Sequence, residues 1–213
     1  MSTAITHPSQ TLVGGALVGR SQRWAVEIGV VASGVVLVAL LAKVSIFLGP
    51  VPLSGQTLGV LLVGAAFGAA RGAVTMFFYA VLGLAGLPIF AGPGAGLGYL
   101  LSPSFGFILG FIPCAWIVGR LAERGWDRTF GRGIFANTVA SIVPFALGVP
   151  YMAAILALGG QAPSFVQAME WGVLPFLPGG VLKAIIAALA LPLAWSVHRR
   201  LARFNERSEG GRS

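Results

Sequence analysis

The sequence predicts an all-α, polytopic membrane protein with six transmembrane helices and both termini in the cytoplasm. Of its 213 residues, 56% are hydrophobic and 9% are charged, against about a quarter charged in an ordinary soluble domain. A soluble fold of this length leaves much of its surface in water and could not bury so much apolar area. The composition therefore excludes a soluble enzyme, a disordered chain and, with a single cysteine, a disulfide scaffold.

The arginines predict the topology. The net charge of +8 comes from twelve arginines and two lysines against six acids. The arginines fall in four places: Arg20 with Arg23, Arg71, residues 120–132, and residues 199–212. Basic residues collect on the cytoplasmic flanks of spanning helices, so the chain must cross an even number of times between these places. The charge thus indicates three helical hairpins rather than nucleic-acid binding.

Six apolar runs match these crossings. The first is long enough, at about 1.5 Å per residue, to span a hydrocarbon core about 30 Å thick. The second and third are short, and the fifth contains Pro144 and Pro150, which predict a kink. The predicted spans are residues 24–48, 56–70, 73–87, 105–121, 133–158 and 180–201.

The same pattern gives the domain organisation. Residues 1–19 are polar or small, carry no signal-peptide pattern and predict a flexible cytoplasmic N-terminus. Residues 20–204 form one six-helix transmembrane domain, and residues 205–213 are expected to be a flexible cytoplasmic tail. The outward connections lack Lys and Arg, as the positive-inside rule expects; they are residues 49–55, 88–104 and 159–179.

Both lysines lie inside predicted spans. Lys43 and Lys183 fall in the outer third of the membrane, where an ionisable side chain usually faces protein or a wet cavity. Two interpretations stay open: the ammonium groups reach the outer headgroups, or they line an outward pocket and bind an anionic substrate. Glu170, the single acid in the outward connections, has no assigned role.

The outward connections are rich in glycine and proline. Glycine lets the backbone approach a ligand closely, and irregular backbone at membrane depth must be buried in protein or line a cavity. The stretch 87–104 is too long for a tight turn, so we expect it to close an outward pocket. For Gly49–Pro52, in contrast, we predict a tight turn between helices. The glycine run follows no strand and predicts no phosphate site.

Small residues recur every four positions on the first span, at Ala25, Gly29 and Ser33. This spacing lets another helix approach closely. The partner is either a helix of the same chain or a separate membrane protein that docks on this stripe.

The sequence carries no catalytic or metal-binding constellation. Its histidines lie in the terminal flanks, Cys114 has no histidine nearby, and no Walker motif is present. We therefore predict a protein that is not an enzyme and that holds no metal and no cofactor.

Five parts of the chain form distinctive motifs: 51–57 (VPLSGQT), Arg71-Gly72 with Tyr79, 83–92 (GLAGLPIFAG), 94–110, and 175–184 (PFLPGGVLKA). These motifs resemble the BioY family, and the resemblance covers about residues 25–200. That family's last helix usually carries Asp-x-x-Lys; here Gly180 stands at the Asp position and Lys183 is kept. Gly94 stands where some members have a polar Asn.

BioY proteins are the biotin-capturing S components of energy-coupling factor (ECF) transporters. The resemblance implies a multi-pass subunit of the cell membrane for high-affinity biotin uptake, with an outward pocket closed by loops. It also implies partners, namely a transmembrane scaffold subunit and two ATP-binding subunits. On this basis Lys183 is expected at the polar end of the pocket. The other candidate site residues are Gln56, Tyr79 and Tyr99 as hydrogen-bonding groups and Phe90 and Leu97 as walls and lid.

Other functions remain open. The chain could be an S component for another small vitamin, a solitary carrier or channel that needs no ATPase, or a structural membrane protein without a ligand. Self-association is also left open. Copurification with an ATPase pair, and binding of biotin beside thiamine, riboflavin and a fatty acid, would separate these alternatives.

Overall fold

The computed structural model describes residues 23–47 and 49–210. The predicted flexible segment 1–19 and the last three residues of the predicted tail lie outside the described residues. The described part is almost entirely helical, with one short hairpin and two 3-10 turns, at Leu97–Leu101 and Trp126–Arg128. Its elements are α1 (Arg23–Lys43), β1 (Ser45–Ile46), β2 (Leu53–Ser54), α2 (Gln56–Phe67), α3 (Ala69–Leu84), α4 (Phe105–Glu123), α5 (Phe130–Leu158), α6 (Phe165–Gly172) and α7 (Phe176–Gly210).

Each of the six predicted spans has a helix, and a seventh helix was missed. The missed helix, α6, lies within the predicted connection 159–179. It begins with a capping box, in which the Ser164 hydroxyl accepts from the Gln167 N–H and the Gln167 side chain accepts from the Ser164 N–H. This helix has eight residues and is not one of the candidate membrane spans, so the prediction of six transmembrane helices stays a prediction.

Two helix ends also differ from the prediction. α1 ends at Lys43, and the residues after it form β1, which pairs antiparallel with β2. α7 begins at Phe176 and holds Pro178 in its first turn, where a missing N–H costs no helical hydrogen bond. α7 continues to Gly210, so the start of the predicted tail is helical, and the flexibility of that tail stays a prediction.

Among the described residues, four helices are long and apolar enough to cross a membrane, as expected of a multi-pass membrane protein. α2 and α3 are apolar but have only 12 and 16 residues. At about 1.5 Å per residue they extend about 18 and 24 Å, against a hydrocarbon core of about 30 Å. The number of crossings therefore stays a prediction. The four long segments are residues 24–43, 105–123, 130–158 and 176–196.

Ionic and capping contacts bring several helix ends together at one end of the bundle. Arg71 donates two hydrogen bonds to the Glu27 carboxylate, which joins α3 to α1. Glu123, at the end of α4, accepts from the Ala69 N–H at 2.9 Å. Gly68, with φ of +87°, is the single residue between α2 and α3, a conformation that favours glycine. We call this the arginine end, because Arg71 and the arginines of residues 120–132 lie here.

Asp127 connects α7 to the arginine end. It is buried in the turn between α4 and α5, and its carboxylate accepts from the indole N–H of Trp195. Burial raises the pKa of the Asp127 carboxyl above its usual value. The Arg128 guanidinium lies 4.8 Å from the centre of the Trp195 ring. These contacts of Trp195 hold α7 against the turn between α4 and α5.

The opposite end carries the β1–β2 hairpin and the long loop between α3 and α4. Ser45 pairs with Ser54 and Ile46 with Leu53. We call this the hairpin end. Between the two ends, α4 packs against α2, α3 and α5 and forms the centre of the bundle. Its buried side chains, which include Cys114, join the main hydrophobic core.

Candidate functional site

A cavity of about 490 Å³, including its mouth, lies near the hairpin end. We call it the inner cavity. The hairpin and the first residues of α2, α4 and α7 surround it, and α5 contributes the turn from Ser141 to Phe145. This volume includes space that is open to solvent. Four separate helices therefore converge on one pocket at the hairpin end.

Aromatic rings form one wall of the inner cavity. Phe107 stacks on Phe176 with ring centres 5.9 Å apart, and Phe145 meets both rings edge-on. Gly148 makes room for this group, since a Cβ atom there would lie 2.3 Å from the Phe107 ring. Phe111 completes the aromatic lining. Such a wall suits the apolar body of a ligand, because aromatic side chains bury a large area in a fixed geometry.

A chain of hydrogen bonds forms the polar side. Gln56, the first residue of α2, lines the inner cavity and is buried. Its amide oxygen accepts from the Ser54 hydroxyl at 2.7 Å, and its amide nitrogen donates to the Tyr79 hydroxyl at 2.7 Å. Tyr79 in turn donates to the Ile89 carbonyl at 2.8 Å. Satisfied buried networks of this kind hold their members in one orientation, so Tyr79, which does not line the cavity, fixes Gln56.

Each lysine donates to a backbone carbonyl of the hairpin end. Lys183, half-buried on α7, donates to the carbonyl of Ser54, a residue that lines the inner cavity. Lys43 donates to the carbonyl of Phe90 at 3.1 Å. Neither lysine forms an ion pair within the part of the chain that the structure describes. An ammonium has three donors, so two remain for other partners, although Lys183 itself is not among the residues that line the inner cavity.

Gly180 faces open space one turn before Lys183. A Cβ atom at this position would have no neighbouring atom within 4 Å. Positions i and i+3 of a helix lie on the same face. The position that holds Asp in the BioY signature is thus free to take a side chain beside Lys183.

Of the six predicted site residues, Gln56 lines the inner cavity and the other five do not. Phe90 is fully buried and lines neither the inner cavity nor the more open one beside Tyr99; its ring packs between Tyr79 and Tyr99, with centres 5.4 and 4.5 Å away. It reaches this place because Gly83 has no side chain, and a Cβ there would lie 2.1 Å from the ring. Leu97 is 71% exposed and also lines neither cavity, while Tyr99 lines a second, more open cavity. The structure therefore places Phe90 in the core rather than at a wall.

Several lining residues are not among the predicted site residues. The Ser141 hydroxyl donates to the Asn137 carbonyl of its own helix at 2.7 Å, and the residue lines the inner cavity. Phenylalanines of the wall gave no signal in so apolar a sequence, although Phe107 and Phe176 follow Gly/Pro-rich segments. Lining residues without a predicted role include Ser104, Phe107, Phe111, Phe145 and Phe176.

The small-residue stripe of α1 is exposed. Ala25, Gly29 and Ser33 lie on an open face, and a Cβ at Gly29 would meet no atom within 4 Å. The Ser33 hydroxyl donates to the Val30 carbonyl at 2.7 Å. No described helix of this chain packs on Gly29. At that position the stripe therefore does not pack against another described helix of the same chain.

Comparison with known proteins gives one consistent family. A family model described as the BioY family matches residues 14–200. The chain is 35% identical to the biotin transporter BioY of Rhizobium etli over 165 residues, covering 74% of this chain and 85% of the relative. It is 32% identical to that of Rhodobacter capsulatus over 167 residues, covering 76% and 87%. These relatives are named as transporters rather than as enzymes.

A solved structure shares the fold. It is the S-component for biotin from an ECF-type ABC transporter, with a TM-score of 0.69 and 20% sequence identity. The similarity covers 84% of this chain and 95% of that one.

Proposed function

The chain belongs to the BioY family, and from that premise we propose that it is the substrate-capturing membrane subunit for biotin uptake and binds biotin in the inner cavity. The observation that carries the proposal is the composition of this cavity: an aromatic wall faces neutral polar groups, and Lys183 donates to the carbonyl of Ser54, one of the lining residues.

Biotin has a carboxylate, a ureido ring that both donates and accepts hydrogen bonds, and an apolar thioether bicycle with a valeryl chain. Phe107, Phe145 and Phe176 offer the surface for the bicycle and the chain. The Thr57 hydroxyl and the Gln56 amide can both donate and accept, and the Ser141 hydroxyl, which already donates to Asn137, can accept; this set matches the ureido group. No carboxylate lines the cavity among the described residues, and this favours an anionic or neutral ligand over a cationic vitamin such as thiamine.

Lys183 is the proposed partner of the biotin carboxylate. Its bond to the Ser54 carbonyl directs the ammonium towards a lining residue of the cavity. Gln56 is the proposed direct contact, and Tyr79 is the residue that positions it. Tyr99 and the exposed Leu97 lie on the loop that we propose closes over the site.

Energy for uptake is proposed to come from partners. The chain has no nucleotide-binding motif, and the solved structure with the same fold is a component of an ECF-type ABC transporter. We therefore propose a transmembrane scaffold and two ATP-binding subunits as partners, docked on Ala25, Gly29 and Ser33. The proposed topology has six crossings of the cell membrane, the arginine end in the cytoplasm and the hairpin end outside.

The binding function is tested with the purified full chain in lipid nanodiscs. Equilibrium binding of biotin, thiamine, riboflavin and a short fatty acid is measured side by side. We expect saturable binding of biotin and no saturable binding of thiamine, riboflavin or the fatty acid. Binding of another ligand in preference to biotin would assign the cavity to that ligand. Copurification with an ATPase pair from the native membrane then separates a coupled subunit from a solitary carrier.

A further inference from the structure

The two halves of α1 are held to the bundle in different ways. In the first half, none of the residues 24–33 is buried. In the second half, Gly34 lies so close to α3 that a Cβ atom there would be 2.7 Å from the Thr75 side chain. Four residues of the second half are buried: Gly34, Val35, Val38 and Ala42. Packing therefore fixes the second half of α1, but it does not fix the first half.

Arg71 supplies the polar contact of the first half. Its Nε donates to one oxygen of the Glu27 carboxylate at 2.7 Å, and its Nη2 donates to the other oxygen. A guanidinium that binds both oxygens of a carboxylate fixes the direction of the contact as well as its length. Within the described residues, no other side-chain hydrogen bond or ion pair joins residues 24–33 to another helix.

The sequence makes this ion pair unusual. Glu27 is the only acid within the six predicted spans. An ionised side chain within a membrane segment is costly and is usually paired or turned towards protein. Glu27 and Arg71 are both partly shielded from solvent in the structure. Separating them would leave a carboxylate on an otherwise apolar helix, so the pair resists a change in the orientation of α1.

The ion pair also sets which face of α1 turns outwards. Ala25 and Gly29 lie two residues before and after Glu27, about 160° away around a helix that turns by about 100° per residue. Because Glu27 faces α3, these two positions face away from α3, and a Cβ atom at Gly29 meets no atom within 4 Å. A rotation of the first half about its axis would turn this open face in another direction.

From these observations we propose that the Glu27–Arg71 ion pair fixes the rotation of the first half of α1 and thereby positions the stripe of Ala25, Gly29 and Ser33 for a helix of the scaffold subunit. Glu27 and Arg71 are positioning residues in this role and do not contact the partner. This inference rests on the proposed function, because the scaffold and the ATP-binding subunits are proposed there.

Exchanging the two charges tests this role. In Glu27→Arg two arginines face each other, in Arg71→Glu two carboxylates do, and the double variant restores an ion pair with its members exchanged. Each single variant should lower copurification of the scaffold and ATPase subunits by about fivefold or more, as the loss of one ion pair changes an equilibrium constant. The double variant should restore copurification. The Kd for biotin should equal that of the parent in all three, because the pair lies at the arginine end.

A spin label gives a second readout that needs no partner. Val31 is half-buried and lies one turn after Glu27 on the same face of α1. A nitroxide attached at Val31→Cys should become more accessible to dissolved oxygen in the Glu27→Arg protein, and its accessibility should return to the parent value in the double variant. The native Cys114 is buried. Unchanged accessibility in Glu27→Arg would overturn the inference.

Arg120→Gln is the matched control for Arg71→Gln. Both remove one arginine of the arginine end, but Arg120 pairs with Glu123 of its own helix at 3.0 Å. Arg71→Gln should lower copurification and Arg120→Gln should not, and this comparison replaces the charge reversals if those variants do not fold. Equal losses in the two variants, a double variant that restores nothing, or a raised Kd for biotin would overturn the inference. A parent chain that copurifies with no ATPase would instead refute the proposed partners, and the spin label would still decide whether the ion pair orients α1.

Discussion

Replacing Lys183 with methionine removes a cation that hydrogen-bonds to a lining residue of the inner cavity, while keeping the apolar stem of the side chain. Lys183 donates to the Ser54 carbonyl, and Ser54 lines the cavity. A hydrogen bond to a charged group contributes about 1.5–3 kcal/mol, and about 1.4 kcal/mol is a factor of ten in affinity. If Lys183 binds the biotin carboxylate, Lys183→Met should therefore weaken biotin binding by roughly ten- to a hundredfold.

The substitution also removes the bond to Ser54, so the assay must separate the two effects. Equilibrium binding is measured for biotin and for its neutral amide, with the parent protein and the variant. A direct ion pair predicts a large loss for biotin and a small one for the amide, as in a double-mutant cycle. Equal losses for both ligands would show that Lys183 acts only through the hairpin, and an unchanged Kd for biotin would remove it from the site.

Lys43→Met is the matched control. Lys43 also donates to a backbone carbonyl of the hairpin end, at Phe90, but it does not contact a residue of the inner cavity. Its replacement should leave the Kd for biotin close to that of the parent. A loss as large as that of Lys183→Met would mean that any weakening of the hairpin end lowers affinity.

Three further predictions concern other parts of the molecule. Gly180→Asp should preserve or strengthen biotin binding, because a Cβ atom there meets no atom within 4 Å and the position lies beside the lysine; a Kd raised tenfold or more, on the order of 1.4 kcal/mol, would contradict the expectation that an acid at this position is compatible with biotin. Gly29→Leu should reduce copurification with the scaffold and ATPase subunits and leave the Kd for biotin unchanged, and intact complexes would show that α1 docks nowhere along this stripe. Ser164→Cys should react with a membrane-impermeant thiol reagent from outside the cell and Thr129→Cys only from the cytoplasm, while the native Cys114 is buried; the reverse pattern would invert the proposed topology.

The order and position of the helices could largely be predicted from sequence. α2 and α4 begin at the predicted residues, Gln56 and Phe105, because Gly, Pro and Ser interrupt the apolar pattern just before them. The end of α1 could not be predicted in the same way. The apolar run continues past Lys43, yet Ser45–Ile46 pair with Leu53–Ser54 as a hairpin, and strand formation depends on such a partner more than on local propensity.

The candidate site was predictable only in its polar part. Gln56, Tyr79 and Lys183 stand out because polar side chains are rare in this sequence, and the structure joins them to the hairpin end through hydrogen bonds. The phenylalanines could not be assigned, since one that faces a cavity and one that faces lipid look the same in an apolar helix. Phe90 shows the difficulty, because its place in the core depends on the empty space beside Gly83.

By itself, the sequence determined the membrane character of the chain, the separation of arginines from the apolar loops and the resemblance to the BioY family. These properties depend on composition and on the order of residues, which folding does not change. The tertiary structure alone decided which side chains share the inner cavity. Phe107, Ser141 and Phe176 lie far apart in the chain, and they meet because α4, α5 and α7 pack in one particular rotation about their axes. That rotation is set by the contacts of all the helices together, so no local pattern contains it.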